Sequence, residues 1–327
     1  MSKTVLLDMS TKKLTYDPEL EPVVHIEPGD TVICESEDAN CSLITKETDV
    51  WSSVSDIRAA AGGGSDPVCG PIYVDGAKAG DFLAVHIVKV EPGFLRNGGY
   101  TSIQGGCGWM EFTKCNLQQP LVPTTRILDF DGEGNAKMKL EGGEEYIKIP
   151  LNPFVGCIGV APKWDRVRSD SLNEEYFGNV DIPQFKAGAT VVLRCNVDGG
   201  FLSIGDVHGA QGDGEITGCA IECQGRTTVV VDLIKKEDMK YYGCPQVNTP
   251  DTMGSVGIWP GKNLTNAISR GYVDLVHRIN CEYGISESDA YMLLCLCGKV
   301  QIGNGSSAVC TVERSILEKF KIDSHSH

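Results

Sequence analysis

Residues 203–218, SIGDVHGAQGDGEITG, carry five glycines, one histidine and three acidic side chains, with few groups suited to packing a core. The histidine is one of only six in 327 residues, and two others, His325 and His327, stand in the polar last three positions. Asp206 and His208 alternate at the end of a strand-like run, so on extended backbone both side chains leave one face. Asp213 and Glu215 repeat that spacing in the glycine turn that follows. Imidazole beside carboxylates is a donor set for Zn²⁺ or a related divalent ion. The alternative is an acidic β-turn that includes a histidine by chance. An EF-hand is excluded, because the acidic spacing and the closing glutamate do not fit its loop. A phosphate loop is excluded as well, since no lysine follows GAQGDG.

Other candidates are weaker. Asn179 and Asp181 lie two apart in EEYFGNVDIP, and Asp38 follows a strand-like run in CESEDANC; both residue types are common in turns. Cys107, flanked by glycine in QGGCGW, is a candidate nucleophile with no base nearby in sequence. His86 shares a strand face with Ala84, Val88 and Val90 and reads as a buried or edge histidine, as does His25. His277 stands near Asp274 on a helical stretch and reads as a surface pair.

The elements that must position these residues are mostly strands. EPVVHIEPGDTVICES and CGPIYVDGAKAGDFLAVHIVKVEPG each give apolar runs broken by glycine turns. EYIKIPL, FVGCIGVAP, ATVVLRCNV, FLSIGDV and the run through TTVVVDLI continue the pattern of a sandwich or barrel. From Leu264, the positions Ile268, Tyr272, Leu275, Val276 and Ile279 follow helical spacing. GISESDAYMLLCLCG predicts a second helix capped by Ser286 and ended at Gly298. The fold class is therefore mainly β, a sandwich- or barrel-like core over 1–245, with a smaller α+β portion over 246–327. The run AAAGGGSDP at 59–67 reads as a flexible or ligand-facing loop.

Composition narrows the partners. A net charge of −15 argues against nucleic acid and anionic membrane surfaces. No run approaches the ~18–20 apolar residues of a membrane span, and the N-terminus lacks a secretory h-region, so the expected location is the cytoplasm. The 14 cysteines contain no CxxC pair and read as small core residues in a reducing compartment. Cys219 and Cys223, four apart, would share one strand face.

Six blocks in order resemble the acetamidase/formamidase family of small-amide hydrolases: EPGDTVICESED, DPVCGPIYVDGAKAGDFLAVHI, NPFVGCIGVAP, FGNVD, GDVHGAQGDGEITGCAIE and SESDAYMLLCLCG. The resemblance implies hydrolysis of a short aliphatic amide, such as formamide or acetamide, to ammonia and a carboxylate. It implies a divalent metal, zinc first and calcium second, with Asp38, Asp181, Asp206 and His208 as ligands. It also implies a homodimer or higher homo-oligomer. On that basis Glu215 is the expected general base, with Asp213 as its catalytic partner. Asn179, Gln211 and the Gly214 backbone are expected to bind substrate and the oxyanion. The pattern is departed from at Ala39-Asn40-Cys41, at Phe177 (glycine in the family), in MGSVGIWPGKN, and in GKVQIGNGSSA, which loses two acidic residues. These departures leave open a larger or cyclic amide, an N-formyl compound, a cysteine-dependent amidase, or a metal-dependent binding protein without turnover.

Overall fold

The computed structural model describes residues 2–109 and 121–320; His325 and His327 lie outside them. Two sheets face each other across one large apolar core, and neither closes on itself, so the architecture is a sandwich rather than a barrel. The nine-stranded sheet centres on Asp30–Ser36, Gly225–Ile234, Phe82–Pro92 and Thr190–Arg194. In Asp30–Ser36 burial alternates residue by residue, with Val32 and Cys34 turned into the core. That is the period-2 pattern of a strand with one face on the core. The twelve-stranded sheet runs through Gly98–Ile103, Glu222–Cys223, Leu202–His208, Phe154–Gly159 and Phe177–Asn179. Leu202–His208 and Phe154–Gly159 are buried at every position. One face packs on the core; the other lies under loops, and it is there that the polar residues gather.

The C-terminal helices form where the spacing predicts them. Leu264–Tyr283 ends on Gly284 at φ +73°, and Glu287–Cys297 is capped by Ser286 Oγ, which accepts from the Asp289 N–H at 3.1 Å. Leu264–Tyr283 packs on Thr252–Ile258 and Ser307–Glu313, and Glu287–Cys297 packs on that helix, over a second core that includes Met253, Leu275, Ile279, Leu294 and Cys310. The sheet nevertheless runs unbroken across residue 245. Gln246–Asn248 pairs with Thr190–Arg194 on one side and Thr252–Ile258 on the other. The C-terminal portion thus has a core of its own but shares the sheet of the larger part. No described helix is long and apolar enough to cross a membrane.

Several local readings change. Cys219 and Cys223 do not share a face, because the strand begins only at Glu222. Cys219 packs with Ile44, Ile57 and Tyr100, while Cys223 enters the main core. His277 pairs with Glu287 at 2.8 Å rather than with Asp274, which is fully buried against the Tyr241 hydroxyl at 3.1 Å. His86 is half-exposed on the outer sheet face, between Thr190 Oγ1 at 2.7 Å and Asp232 Oδ2 at 3.0 Å. Eight of the thirteen described cysteines are buried and all thirteen are free thiols, as the core reading expects.

Leu275 is wholly buried in the second core. Leu275→Ala should lower stability by about 2–5 kcal/mol in urea unfolding; a change well under 1 kcal/mol would show that the helix contributes little to that core.

Candidate metal centre and active site

The strand Leu202–His208 is held along one edge by Phe154–Gly159. Its other edge is divided. Val68–Val74 pairs with Leu202, Ile204 and Gly205, and Glu222–Cys223 takes over at Val207 and His208. Asp206 sits at the changeover with φ +57°. This left-handed residue resets the alternation, so that Leu202, Ile204 and Val207 all enter the core. Asp206 and His208 are left on the opposite face. The two side chains meet as the sequence suggests, though not by simple alternation. Asp66, Asp181 and Glu215 are also left-handed, at φ +55°, +49° and +44°. Such backbone costs on the order of 1 kcal/mol or more per residue and persists where the surroundings hold it.

His208 is 1% exposed. Its Nε2 lies 3.3 Å from Asp206 Oδ2, 3.4 Å from Glu222 Oε2 and 3.9 Å from Asp181 Oδ1. Its Nδ1 lies 2.9 Å from Gln211 Oε1. Gln211 Nε2 donates to the carbonyls of Asp181 at 2.8 Å and Gly303 at 3.2 Å, which fixes Oε1 as the atom facing the ring. Nδ1 must then carry the proton, leaving the Nε2 lone pair aimed at three carboxylate oxygens. That arrangement is repulsive unless a proton or cation sits among them. A histidine whose outer nitrogen donates to a fixed acceptor is the usual support of a metal ligand.

The carboxylates are built alike. Glu222 accepts from the Ala220 N–H through Oε1 at 2.7 Å, and Asp181 accepts from Asn304 Nδ2 through Oδ2 at 2.9 Å. Glu222 Oε2, Asp181 Oδ1 and Asp206 Oδ1 are buried with no hydrogen-bond donor. Each orphan would cost about 1–3 kcal/mol without a partner. Gly156 makes the room: a Cβ there would collide with Asp206 Oδ2 and lie 2.8 Å from Asp181 Oδ1. Among the described residues, the donor atoms of Asp181, Asp206 and His208, and those of His208, Glu215 and Glu222, each lie within 4.8 Å of one another. These residues fit a divalent cation.

Electrostatics agree. Burial, and then Asp206 against the relief given by His208, pushes Asp181 up to about 7. Glu215 is raised well above the usual carboxylate range by burial and by Asp181, and Asp66 by burial and Asp206. Burial disfavours the charged imidazole of His208, yet Glu222 and Asp206 carry its pKa upward. The centre opens into a cleft of about 210 Å³ walled by Val54, Trp109, Leu172 and Cys219. Arg58 and Arg168 hold the buried Asp170 beside it, at 2.8 and 2.7 Å.

The other expected residues separate. Asp38 is not among the clustered donors: it lines a neighbouring cavity with Glu222, and its oxygens take the N–H groups of Asn40 and Ser42 and the Tyr100 hydroxyl, at 3.1, 3.0 and 3.3 Å. Asp213 is exposed, and only Glu215 lines the cleft. The spacing argument assumed extended backbone, whereas Gly214 at φ +89° and the Glu215 N–H to Gly212 O bond make a turn that parts the two side chains. Gln211 lies behind His208 and positions it. Asn179 lines the cleft, its Nδ2 donating to Asp66 Oδ2 at 2.6 Å, and Gly214 lines it too, its carbonyl taking Trp109 Nε1 at 2.7 Å. Phe177, at φ +75°, faces the core against Phe185 and not the cleft. Cys107 has its thiol pushed up to about 11 by burial and by Glu215, which leaves it a poor nucleophile. Sequence reasoning missed Glu222, Asp66 and Asn304. Glu222 closes the block GDVHGAQGDGEITGCAIE, Asp66 ends the loop expected to face a ligand, and Asn304 lies in the segment that had lost acidic residues.

Fold and centre together define a two-sheet β protein with a buried histidine–carboxylate site able to hold a cation. Residues 6–175 and 168–309 match the Acetamidase/Formamidase family, and the chain belongs to it. It is 26% identical to the formamidase of Methylophilus methylotrophus over 333 residues, covering 84% of this chain and 80% of that one. It is 26% identical to the acetamidase of Mycolicibacterium smegmatis over 276 residues, covering 70% and 67%. Across the curated relatives it matches, the chain spans 63–80% of their length. The crystal structure of an acetamidase from Yersinia enterocolitica superposes with a TM-score of 0.83 at 30% identity, covering 96% of this chain and 93% of that one.

Two outcomes follow from the geometry. Gly156→Ala should weaken divalent-ion binding while leaving the circular dichroism spectrum intact; unchanged affinity by calorimetry would mean the carboxylates do not need that space. The second concerns pH. Asp181, Asp38 (about 6, chiefly from burial) and His208 all have folded pKa values raised above the unfolded ones. Their contribution is present below the unfolded values and is lost as pH rises through the folded ones. In chelator, the melting temperature should therefore fall from about pH 5 to about pH 8, and Asp181→Asn should flatten the slope. A rise over that window would contradict the assignment.

Proposed function

We propose that this protein hydrolyses a short primary amide to ammonia and a carboxylate at a divalent ion held by Asp181, Asp206, His208 and Glu222. The observation that carries the reading is the His208 Nε2 lone pair, fixed by Gln211 and aimed among three carboxylates, each with an orphaned oxygen. An imidazole among the donors favours zinc over calcium, which takes six to eight oxygens. A bound divalent ion supplies Lewis-acid polarisation of the carbonyl and a lowered pKa for water.

Glu215 takes the proton of the attacking water and delivers it to the amide nitrogen, so that the C–N bond breaks and ammonia leaves. Its raised pKa and its place on the cleft wall beside His208 and Glu222 suit that exchange. Asn179 Oδ1, buried and without a donor on the same wall, can accept one N–H of a primary amide. A cleft of about 210 Å³ compares with ~30 Å³ for one liquid water and suits a substrate of few atoms. Phe177 lies in the core and gives no reason to favour a larger amide.

Ammonia release from formamide and acetamide, with stripped and zinc-reconstituted protein, tests the proposal. Glu215→Gln should retain metal and lose at least ~10²-fold in kcat, within the range of acid–base catalysis. His208→Ala should lose metal by elemental analysis. Full activity of Glu215→Gln would remove Glu215 from its role, and unchanged metal content in His208→Ala would sink the ligand set.

A further inference from the structure

Glu215 is carried by a turn with little packing of its own: Ile216 is 62% exposed, and Glu215 sits at φ +44°. A left-handed glutamate costs on the order of 1 kcal/mol or more and persists only where its surroundings hold it. The hold comes from residues 105–109. The Trp109 main-chain N–H donates to Ile216 O at 2.8 Å, and its indole Nε1–H donates to Gly214 O at 2.7 Å. One residue thus grips the carbonyls on both sides of Glu215. The approach is close: a Cβ on Gly214 would lie 3.0 Å from the indole Cζ2, and one on Gly108 would lie 2.6 Å from Thr217 O. Cys107 Sγ adds a donor to Gly218 O at 3.3 Å. The gripping segment is itself anchored. Gly105 O accepts from the Val54 N–H at 2.8 Å, and Gly108 O accepts from Lys262 Nζ at 3.2 Å. Trp109 and Glu215 line the same cleft.

We propose that Trp109 is the positioning residue for Glu215, its two donors holding the turn in the shape that aims the carboxyl into the cleft. This rests on the proton exchange assigned to Glu215 above. Any residue at 109 other than proline supplies the main-chain donor, so the group specific to tryptophan is the indole N–H. Without it the peptide plane between Gly214 and Glu215 is free to rotate, although Ile216 O stays tied. Proton delivery needs heavy atoms about 2.6–3.2 Å apart, and a displacement of about 1 Å can cost as much as ~10²-fold in rate. Trp109 therefore acts on the reaction through Glu215, with no proton of its own to exchange.

Trp109→Phe keeps an aromatic ring and the main-chain N–H while removing the indole donor. Site-specific 3-benzothienylalanine at 109 keeps the indole outline with sulfur in place of N–H, so a packing defect in the first variant does not confuse the result. Hydrogen–deuterium exchange on peptides spanning 212–218 reads the grip without any need for turnover. Both variants should exchange there about fivefold faster than wild type, the order set by one net hydrogen bond, while Leu202–His208 keeps its protection. In ammonia release from formamide both should lose about tenfold in kcat with KM little changed. Trp109→Phe should cost nothing further in the Glu215→Gln background, since the exchange it serves is already gone. Unchanged exchange at 212–218 overturns the proposal whatever the activity. So does an unchanged kcat in both variants, or an equal kcat loss in the Glu215→Gln background. Full activity of Glu215→Gln overturns the role assigned to Glu215 and this proposal with it, whereas an inactive Glu215→Gln beside unchanged exchange overturns this proposal alone.

Discussion

Five carboxyl groups line one cleft around a buried imidazole, three of them facing its free lone pair, and that concentration of negative charge cannot persist without protons or a cation among them. Each unpaired buried oxygen costs free energy comparable to a lost hydrogen bond, and like charges at a few ångströms repel strongly in a poorly solvated site. Nearby Arg58 and Arg168 do not relieve it, because both are bound to Asp170. A proton or a cation among them relieves the conflict, and the raised pKa values of Asp181, Glu215 and Asp66 reflect its strength.

The scaffold is arranged to sustain that crowding. Asp206 and His208 come from a strand whose neighbour changes midway, Glu222 from the short strand that takes over, and Asp66 from the loop after Val54–Ala60. Asp181 follows Phe177–Asn179, and Asn304, in a turn between two C-terminal strands, holds its second oxygen. Left-handed backbone at Asp66, Asp181, Asp206 and Glu215 bends each element where regular structure would aim the side chain elsewhere. The sandwich core, closely packed between two sheets, supplies the rigidity that keeps these conformations in place. The C-terminal portion is part of the same design: it continues the sheet and supplies the Gly303 and Asn304 contacts.

Much of the fold was legible because its signals are local. Alternation in DTVICES and TTVVVDLI marks strands with one buried face, and the Ser286 cap and Gly298 end bound a helix by rules of a few residues. The helix Val54–Ala60 was not foreseen, since seven residues are too few for periodicity to show. Asp206 and His208 meet as their spacing suggests, but through left-handed backbone at Asp206 that alternation alone does not give. The pairing of Asp213 with Glu215 failed because one glycine turned the chain between them.

What the sequence determined by itself was the β-rich class, the helical end, and the presence of an acidic, histidine-bearing turn in place of a phosphate loop. Only the tertiary structure decided which acids share His208. Glu222 and Asp181 lie 14 and 27 positions from it, Asp66 stands 140 residues from Asp206, and Asn304 lies 123 residues from Asp181. Spacing along a chain governs contacts only within one element, whereas strand pairing and left-handed turns set contacts between elements. The SIGDVHGAQGDGEITG stretch names one histidine and three acids; the fold keeps two of those acids in the cleft, sends Asp213 to solvent, and brings the remaining carboxylates from elsewhere.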